Sequence, residues 1–443
     1  MTTNTPAGLS QAAVTPLSTL DPAAPLDDLT WLDEAIGDAR VVAIGESAHY
    51  NREFHELRHR LLRYLAERHG FSAYVMETGF TEGRRADAWV LGGEDHLGEV
   101  MAHGLTSLMG LWRQLGAHLE WMRRHNATAA RPVRFYGVDL GGQNASLLPA
   151  LDAVLAYLAH ADPGFQPDPA LRDTAASFAA TSAFTAPAAL AAYVQLPPEQ
   201  QNALTAGLAA LAARLKGRRL DHVRHSTPQQ YEDALRIASQ LITLESAIRA
   251  MAGGDVQSAM YNRDAEMADT VEWILRRQDR VVLAAHNGHL QRWPGELPGM
   301  GPMTPLGLHL ADRLGDDYLA IGTTAGTGHI LNSDAAAFQS GTLFAPMEAP
   351  RPGSLDALMH ASHAGPFAAD LRRLPPADAD AVRAATVYRT GLGEHYAPIS
   401  AMDAFDVVVH LPRVTGADPD EVAVACSPEE VREVFSRYKP AVT

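Results

Sequence analysis

With 443 residues, 47% of them apolar and 20% charged, the chain has the profile of a globular protein large enough to bury its own core. The 36 Lys and Arg against 52 Asp and Glu leave a formal charge of −16, which argues against binding to nucleic acid or to an anionic membrane surface. A single cysteine, Cys426, excludes an internal disulfide and fits a reducing compartment.

Residues 1–28 form a polar, Pro/Ala-rich segment with neither a basic n-region nor an apolar h-region, so no signal peptide is expected. No apolar run reaches the ~18 residues a membrane span needs, and the expected location is the cytoplasm. Arg40–Ile44 is the first strand by apolar run length and β-branched content. An amphipathic helix from Arg52 to His69, stopped by Gly70, leads to a second strand over Ser72–Met76. Strand, helix, strand at this spacing is a βαβ unit, which implies parallel strands. A third strand is expected at Val133–Val138. From Asn144 to Ala252 the chain is Ala-rich and helical in pattern, punctuated by Pro163, Pro167, Pro169, Pro187, Pro197 and Pro198. A long helix over Gln257–Arg277 precedes a fourth strand at Arg280–Ala285. A fifth follows at Tyr318–Gly322 and a sixth at Phe405–His410. Between those two, Gly326–Pro376 reads as loop with short helices such as Leu355–His360.

The pattern is an α/β fold: a central, mostly parallel sheet flanked by helices. Its core runs over 29–143 and resumes over 257–443, and residues 144–256 are a helical insertion expected to cap the carboxyl ends of the strands. Those strand ends carry the chemistry. Strand one is followed by Glu46 and His49, strand two by Glu77, strand three by Asp139, strand four by His286 and His289, and strand five by Thr323 and Thr324. Any one of these could be a turn or cap residue. On neighbouring parallel strands they would share one sheet edge, where ligands of α/β proteins bind and where carboxylates with histidines suffice for general acid–base chemistry.

The helix also spells His55-Glu56-Leu57-Arg58-His59, the zinc-protease motif. At 100° per residue, however, both histidines fall on the flank or polar side, well away from the apolar face of Phe54, Leu57, Leu61 and Leu65. The motif is therefore read as a chance match. Arg58 lies inside the apolar face and needs a carboxylate there, with Glu46, Glu77 and Asp139 as candidates; a structural ion pair and a substrate contact are both open to it. Arg263-Asp264 on the later helix raises the same question. No G-x-S-x-G elbow, strand-following G-x-G-x-x-G or P-loop is present, which excludes a conventional serine hydrolase and indicates no nucleotide cofactor.

Taken in order, these residues resemble the erythromycin esterase family. The likeness rests on Val41-Val-Ala-Ile-Gly-Glu46-x-x-His49 with Arg52-Glu53-Phe54, on Arg58 and Arg63-Tyr64-Leu65, and on Glu77, Gly137-x-Asp139 and Arg263-Asp264-x-x-Met267-Ala268. It continues through Ala285-His286-Asn287-x-His289-Leu290-Gln291, Gly307-x-His309-Leu310-Ala311-x-Arg313 and Ala404-Phe405-Asp406, spanning about residues 29 to 411. The resemblance implies a macrolide esterase conferring antibiotic resistance, working without metal or other cofactor. In it His49 is the general base, Glu46, Glu77 and His286 act with it, and His289, Arg58, Asp139 and Arg263 bind or orient the substrate. The partner is then a small-molecule macrolide, held between apolar walls from the insertion. The alternatives are a metal-dependent hydrolase of another ester and a non-catalytic binder of an apolar ligand. Nothing in the sequence specifies an oligomeric state.

Overall fold

The computed structural model describes residues 8–296, 301–391 and 393–438. In chain order the strands are β1 (Thr15–Pro16), β2 (Val41–Ile44), β3 (Ala73–Gly79), β4 (Arg134–Asp139), β5 (Val281–Ala284), β6 (Tyr318–Leu331), β7 (Phe344–Pro346), β8 (Phe367–Asp370), β9 (Val387–Arg389), β10 (Tyr396–Pro398) and β11 (Val407–Val414). Nine form one sheet in the order β1-β8-β11-β6-β2-β5-β3-β4, with β7 paired to β6 off that path; β9 and β10 make a separate antiparallel pair. The central strands β11, β6, β2, β5, β3 and β4 are parallel, and β1, β7 and β8 join antiparallel at the margins.

Continuous apolar runs make these strands because both faces of the sheet are covered. Val41, Ala43, Val75 and Leu283 pack with the helices of the insertion, among them Leu151, Ile237 and Val271. Val42, Ile44, Tyr74 and Val282 face the other way, onto Phe54, Leu57, Leu61 and Leu119. The Ala-rich region folds as helices from Leu148–Ala161 to Val256–Leu275, all inserted between β4 and β5.

The structure departs from the sequence reading at several points. Tyr318–Gly322 is only the beginning of β6, which continues to Leu331, so Thr323 and Thr324 lie inside a strand and are buried rather than placed at its end. The Gly326–Pro376 region supplies the rest of β6 together with β7 and β8. Helix Arg52–His69 ends as expected on left-handed Gly70 (φ 67°). Its supposed polar flank, though, is not solvated: His55 and His59 are both buried. The helix over Arg113–Asn126 covers that flank, bringing the His118 ring 4.5 Å from His59 and a His118 ring nitrogen 2.8 Å from the His55 carbonyl. A wheel with one buried face could not anticipate a helix enclosed on two sides. Burial holds the pKa of His55 down to about 4 and that of His59 to about 3. Among the described residues no group of three or more His, Cys, Asp or Glu side chains is placed to hold a metal ion.

Candidate active site

Parallel register brings the carboxyl ends of four strands level. Ile44 pairs with Ala284, Met76 with both Ala284 and Gly137, so the residues that follow emerge side by side. At Gly45 a Cβ would stand 2.0 Å from the Asn287 Oδ1, so only glycine lets the two loops cross. Asn287 in turn donates to the Thr323 carbonyl at 2.7 Å, and its own N–H reaches the Glu46 carbonyl at 2.9 Å. The β3–β4 register slips between Met76 and Gly79, and Glu77 lies within that irregularity, which re-aims side chains at a strand end.

Two hydrogen-bonded chains meet there. In the first, Arg58 Nη1 donates to Glu46 Oε2 at 2.8 Å and Glu46 Oε1 takes the His49 Nδ1 at 2.6 Å. Arg58 also donates to the carbonyls of Ile44 and Ala285. In the second, Asp139 accepts two bonds from Arg263, each 2.7 Å, and Arg263 reaches Glu77 Oε1 at 3.2 Å. The His289 ring lies between Asp264 Oδ1 at 2.7 Å and Glu77 Oε1 at 3.3 Å. Glu77 Oε2 accepts the backbone N–H of His286 at 2.8 Å.

Above them opens a cavity of about 270 Å³. His49, Glu77, Arg263, Asp264, His286 and His289 line one part of it, and Met109, Met260, Met303 and Pro305 give it an apolar wall. Glu46, Arg58 and Asp139 are buried beneath, and none of them lines it. Of the two roles open to Arg58, the geometry therefore leaves the ion pair, since a side chain 1% exposed and saturated by Glu46 and carbonyls cannot reach a ligand. The insertion expected over 144–256 contributes no residue to the cavity lining and so does not supply its apolar walls; Met260, Arg263 and Asp264 come from the next helix, Val256–Leu275, which leads into β5. Asp264, unassigned on its own in the sequence, proves to be the partner that fixes His289. Its signal was its place beside Arg263: two neighbouring charges on one helix, both turned to the sheet edge.

The electrostatics distinguish three histidines. His289, between two carboxylates, overcomes its burial and is raised to about 10, so it is a fixed cation. Burial, reinforced by the neighbouring His49, drives His286 down to about 3. Its Nδ1 accepts the Gly288 N–H at 3.0 Å, so the neutral ring carries its proton on Nε2. Burial opposes protonation of His49, but the bond to Glu46 and the charges of Glu77 and Glu46 raise it above the ordinary 6.5. With Nδ1–H given to Glu46, its lone pair is on Nε2. Burial acts in the opposite sense on Glu46 and Glu77 and would raise them; Arg58 and His49 nevertheless bring Glu46 to about 2, while His289, His49 and Arg263 hold Glu77 well below the carboxylate range. Four carboxylates (Glu46, Glu77, Asp139, Asp264) face three fixed cations (Arg58, Arg263, His289), leaving one negative charge that a proton on His49 cancels. The His49 and His286 rings stand 5.0 Å apart between centroids. A lone pair and an N–H donor thus adjoin one cavity, the pairing that adds water across a polarised carbonyl.

The erythromycin esterase profile matches residues 66–414. The chain belongs to the erythromycin esterase family. Glu77, Asp139, Arg263, Asp264, His286 and His289 fall inside the matched span, and Glu46, His49 and Arg58 precede it. The chain is similar to erythromycin esterase type II of Escherichia coli, 33% identical over 316 residues that cover 68% of this chain and 73% of the relative. It is also similar to erythromycin esterase type I of the same organism, 29% identical over 311 residues, covering 66% and 71%. Two solved structures share the fold. One is a Bacillus cereus protein with a TM-score of 0.76 at 21% identity, covering 93% of this chain and 97% of that one. The other is an erythromycin esterase mutant, EreC, in its open conformation, with a TM-score of 0.74 at 22% identity, covering 91% and 98%. No helix among the described residues of this erythromycin esterase family member is long and apolar enough to cross a membrane.

Proposed function

We propose that the protein opens the lactone ring of macrolides by direct attack of water. The observation that carries the reading is the adjoining pair of imidazoles at the cavity, with His49 held by Glu46 at 2.6 Å and a neutral His286 ring 5.0 Å from it between centroids, in a member of this family. His49 Nε2 takes a proton from water as the oxygen bonds to the lactone carbonyl carbon. The His286 Nε2–H donates to the oxyanion, and the imidazolium at His49 is stabilised by Glu46 and Glu77. As the tetrahedral centre collapses, the carbon–oxygen bond of the ring breaks and His49 returns its proton to the leaving alkoxide. The product is a hydroxy acid, whose carboxyl releases its own proton to solvent.

Macrolide chemistry suits this cavity in two ways. The ring is largely apolar, and three methionines offer a wall that adapts its shape. Glu296, exposed at the rim, gives a counter-charge for a protonated amino sugar. At about 270 Å³ the cavity lies at the small end of ligand sites, which run to ~1,000 Å³, so the reacting ester and its flanking ring atoms enter while the sugars stay outside. Incubation with macrolides of several ring sizes, followed by mass spectrometry, tests the reading. Gain of one water by at least one macrolide is expected, and unchanged ligand throughout would refute it.

A further inference from the structure

Five non-glycine residues among those described have left-handed backbone: Tyr50 (φ 62°), Ser107 (54°), Leu108 (59°), Gln143 (52°) and Asn144 (60°). They are scattered over nearly a hundred positions of sequence, yet they meet at one place. The Tyr50 hydroxyl donates to the Ser107 carbonyl at 2.6 Å, and the Ser107 N–H donates to the Gln143 Oε1 at 2.7 Å. The same turn is tied to β3, because the Thr106 N–H donates to the Thr78 hydroxyl at 2.6 Å and the Gly79 N–H to the Thr106 hydroxyl at 2.8 Å. The loops that follow β2, β3 and β4 therefore converge on Thr106-Ser107-Leu108-Met109. Tyr50, Ser107 and Met109 all line the cavity, and the Tyr50 ring adjoins that of His49 at 5.5 Å.

Left-handed backbone is disfavoured for any residue with a Cβ, and it persists only where the surroundings over-determine it. Here the Gln143 side chain supplies the acceptor for the Ser107 N–H, beside the Tyr50 hydroxyl on the Ser107 carbonyl and the Thr78–Thr106 bonds. Without Gln143 Oε1 the Ser107 N–H loses its partner, and the left-handed backbone at Ser107 loses one of the bonds that offset its cost. The Tyr50 and Met109 faces of the cavity would move with it.

We propose that Gln143 is a positioning residue, which through Ser107 holds the Tyr50–Met109 wall in the shape that receives the substrate. This rests on the macrolide reading above for the identity of the substrate, but not for the mechanical link. Gln143→Ala removes the acceptor, Gln143→Glu keeps one, and Ser107→Gly removes the Cβ penalty of the left-handed backbone while keeping the N–H that Gln143 holds. With erythromycin, Gln143→Ala is expected to raise KM about tenfold, the loss of roughly one hydrogen bond's worth of fixing, with kcat within about threefold. Gln143→Glu should return KM to within about threefold of the parent. Ser107→Gly, which keeps that N–H and suits the left-handed backbone, should leave KM within about threefold of the parent. An unchanged KM in folded Gln143→Ala overturns the proposal. A second readout needs no substrate: the rate at which diethyl pyrocarbonate carbethoxylates His49, followed by peptide mass. If the parent opens no macrolide, the hydrolase reading falls while this rate still decides the link. Faster modification in Gln143→Ala than in the parent and Gln143→Glu supports it, and equal rates in all three overturn it.

Discussion

Glu46 holds a catalytic imidazole with one oxygen and a buried guanidinium with the other, so Glu46→Gln should damage turnover and stability together, and for separable reasons. The Glu46 pKa falls from 4.5 to about 2 on folding, worth about 3 kcal/mol at ~1.36 kcal/mol per pH unit. Breaking a buried pair by removing one partner costs a comparable ~3–5 kcal/mol, because the Arg58 charge is left with carbonyls alone. With an unfolding entropy of about 2.1 cal/mol/K per residue over 443 residues, a loss of this size lowers Tm by about 3–5 °C. The sign in pH follows from a depressed carboxylate. The stabilisation is complete above the unfolded value of 4.5 and disappears as pH falls through about 2, so parent and variant should converge in acid. In turnover, a glutamine amide does not stabilise an imidazolium and can donate to Nδ1, which moves the ring proton to Nε2 and removes the base. A fall in kcat of about a hundredfold to ten-thousandfold is expected. Circular-dichroism melts at neutral and acid pH, with initial rates on erythromycin, measure both effects. A Glu46→Gln protein with parental Tm at neutral pH and activity within about tenfold of the parent would refute this reasoning.

Because the base must be neutral and its pKa is raised, kcat/KM should climb with pH through a midpoint above 6.5, and a pH–rate profile with a lower acid limb would argue against His49. His286→Ala removes the oxyanion donor, and kcat should drop about a hundredfold to a thousandfold with little change in KM. Asp264→Asn loosens the His289 cation. A raised imidazole stabilises the fold fully below its unfolded value of 6.5 and ceases to do so as pH rises through about 10, so the Tm deficit of this variant should be largest just below pH 6.5 and shrink steadily into alkali.

The parts of the fold most legible in the sequence were those where one environment acts on a whole segment. Val41–Ile44 is sealed on both faces, and an uninterrupted apolar run is what such a strand requires. Glycine and threonine concealed the rest of β6: Gly326 passes His360 and Gly328 passes the Val414 carbonyl, so close approach between neighbours looked like loop composition. The strand-end residues Glu46, His49, Glu77, Asp139 and His286 were readable because parallel register needs only the order of strands to bring them together. Their division into a buried layer and a cavity-lining layer was not, since depth below a sheet edge leaves no mark on periodicity. Arg58 illustrates this: the wheel places it on the apolar face, but not the depth at which its guanidinium is spent on Glu46 rather than on a ligand. Gln143 and Ser107 gave no signal at all, because glutamine and serine are not among the residue types enriched in left-handed backbone.

Direct attack of water activated by His49 is tested most closely by a single turnover of erythromycin, with protein in excess, in water enriched in the heavy oxygen isotope. The expected result is one heavy oxygen in the product carboxyl, none in the protein, and no reaction with His49→Ala. Light oxygen in the product with the label recovered in a peptide carrying Glu46 or Glu77 would instead mean a covalent acyl intermediate, and together with undiminished turnover by a folded His49→Ala would contradict it.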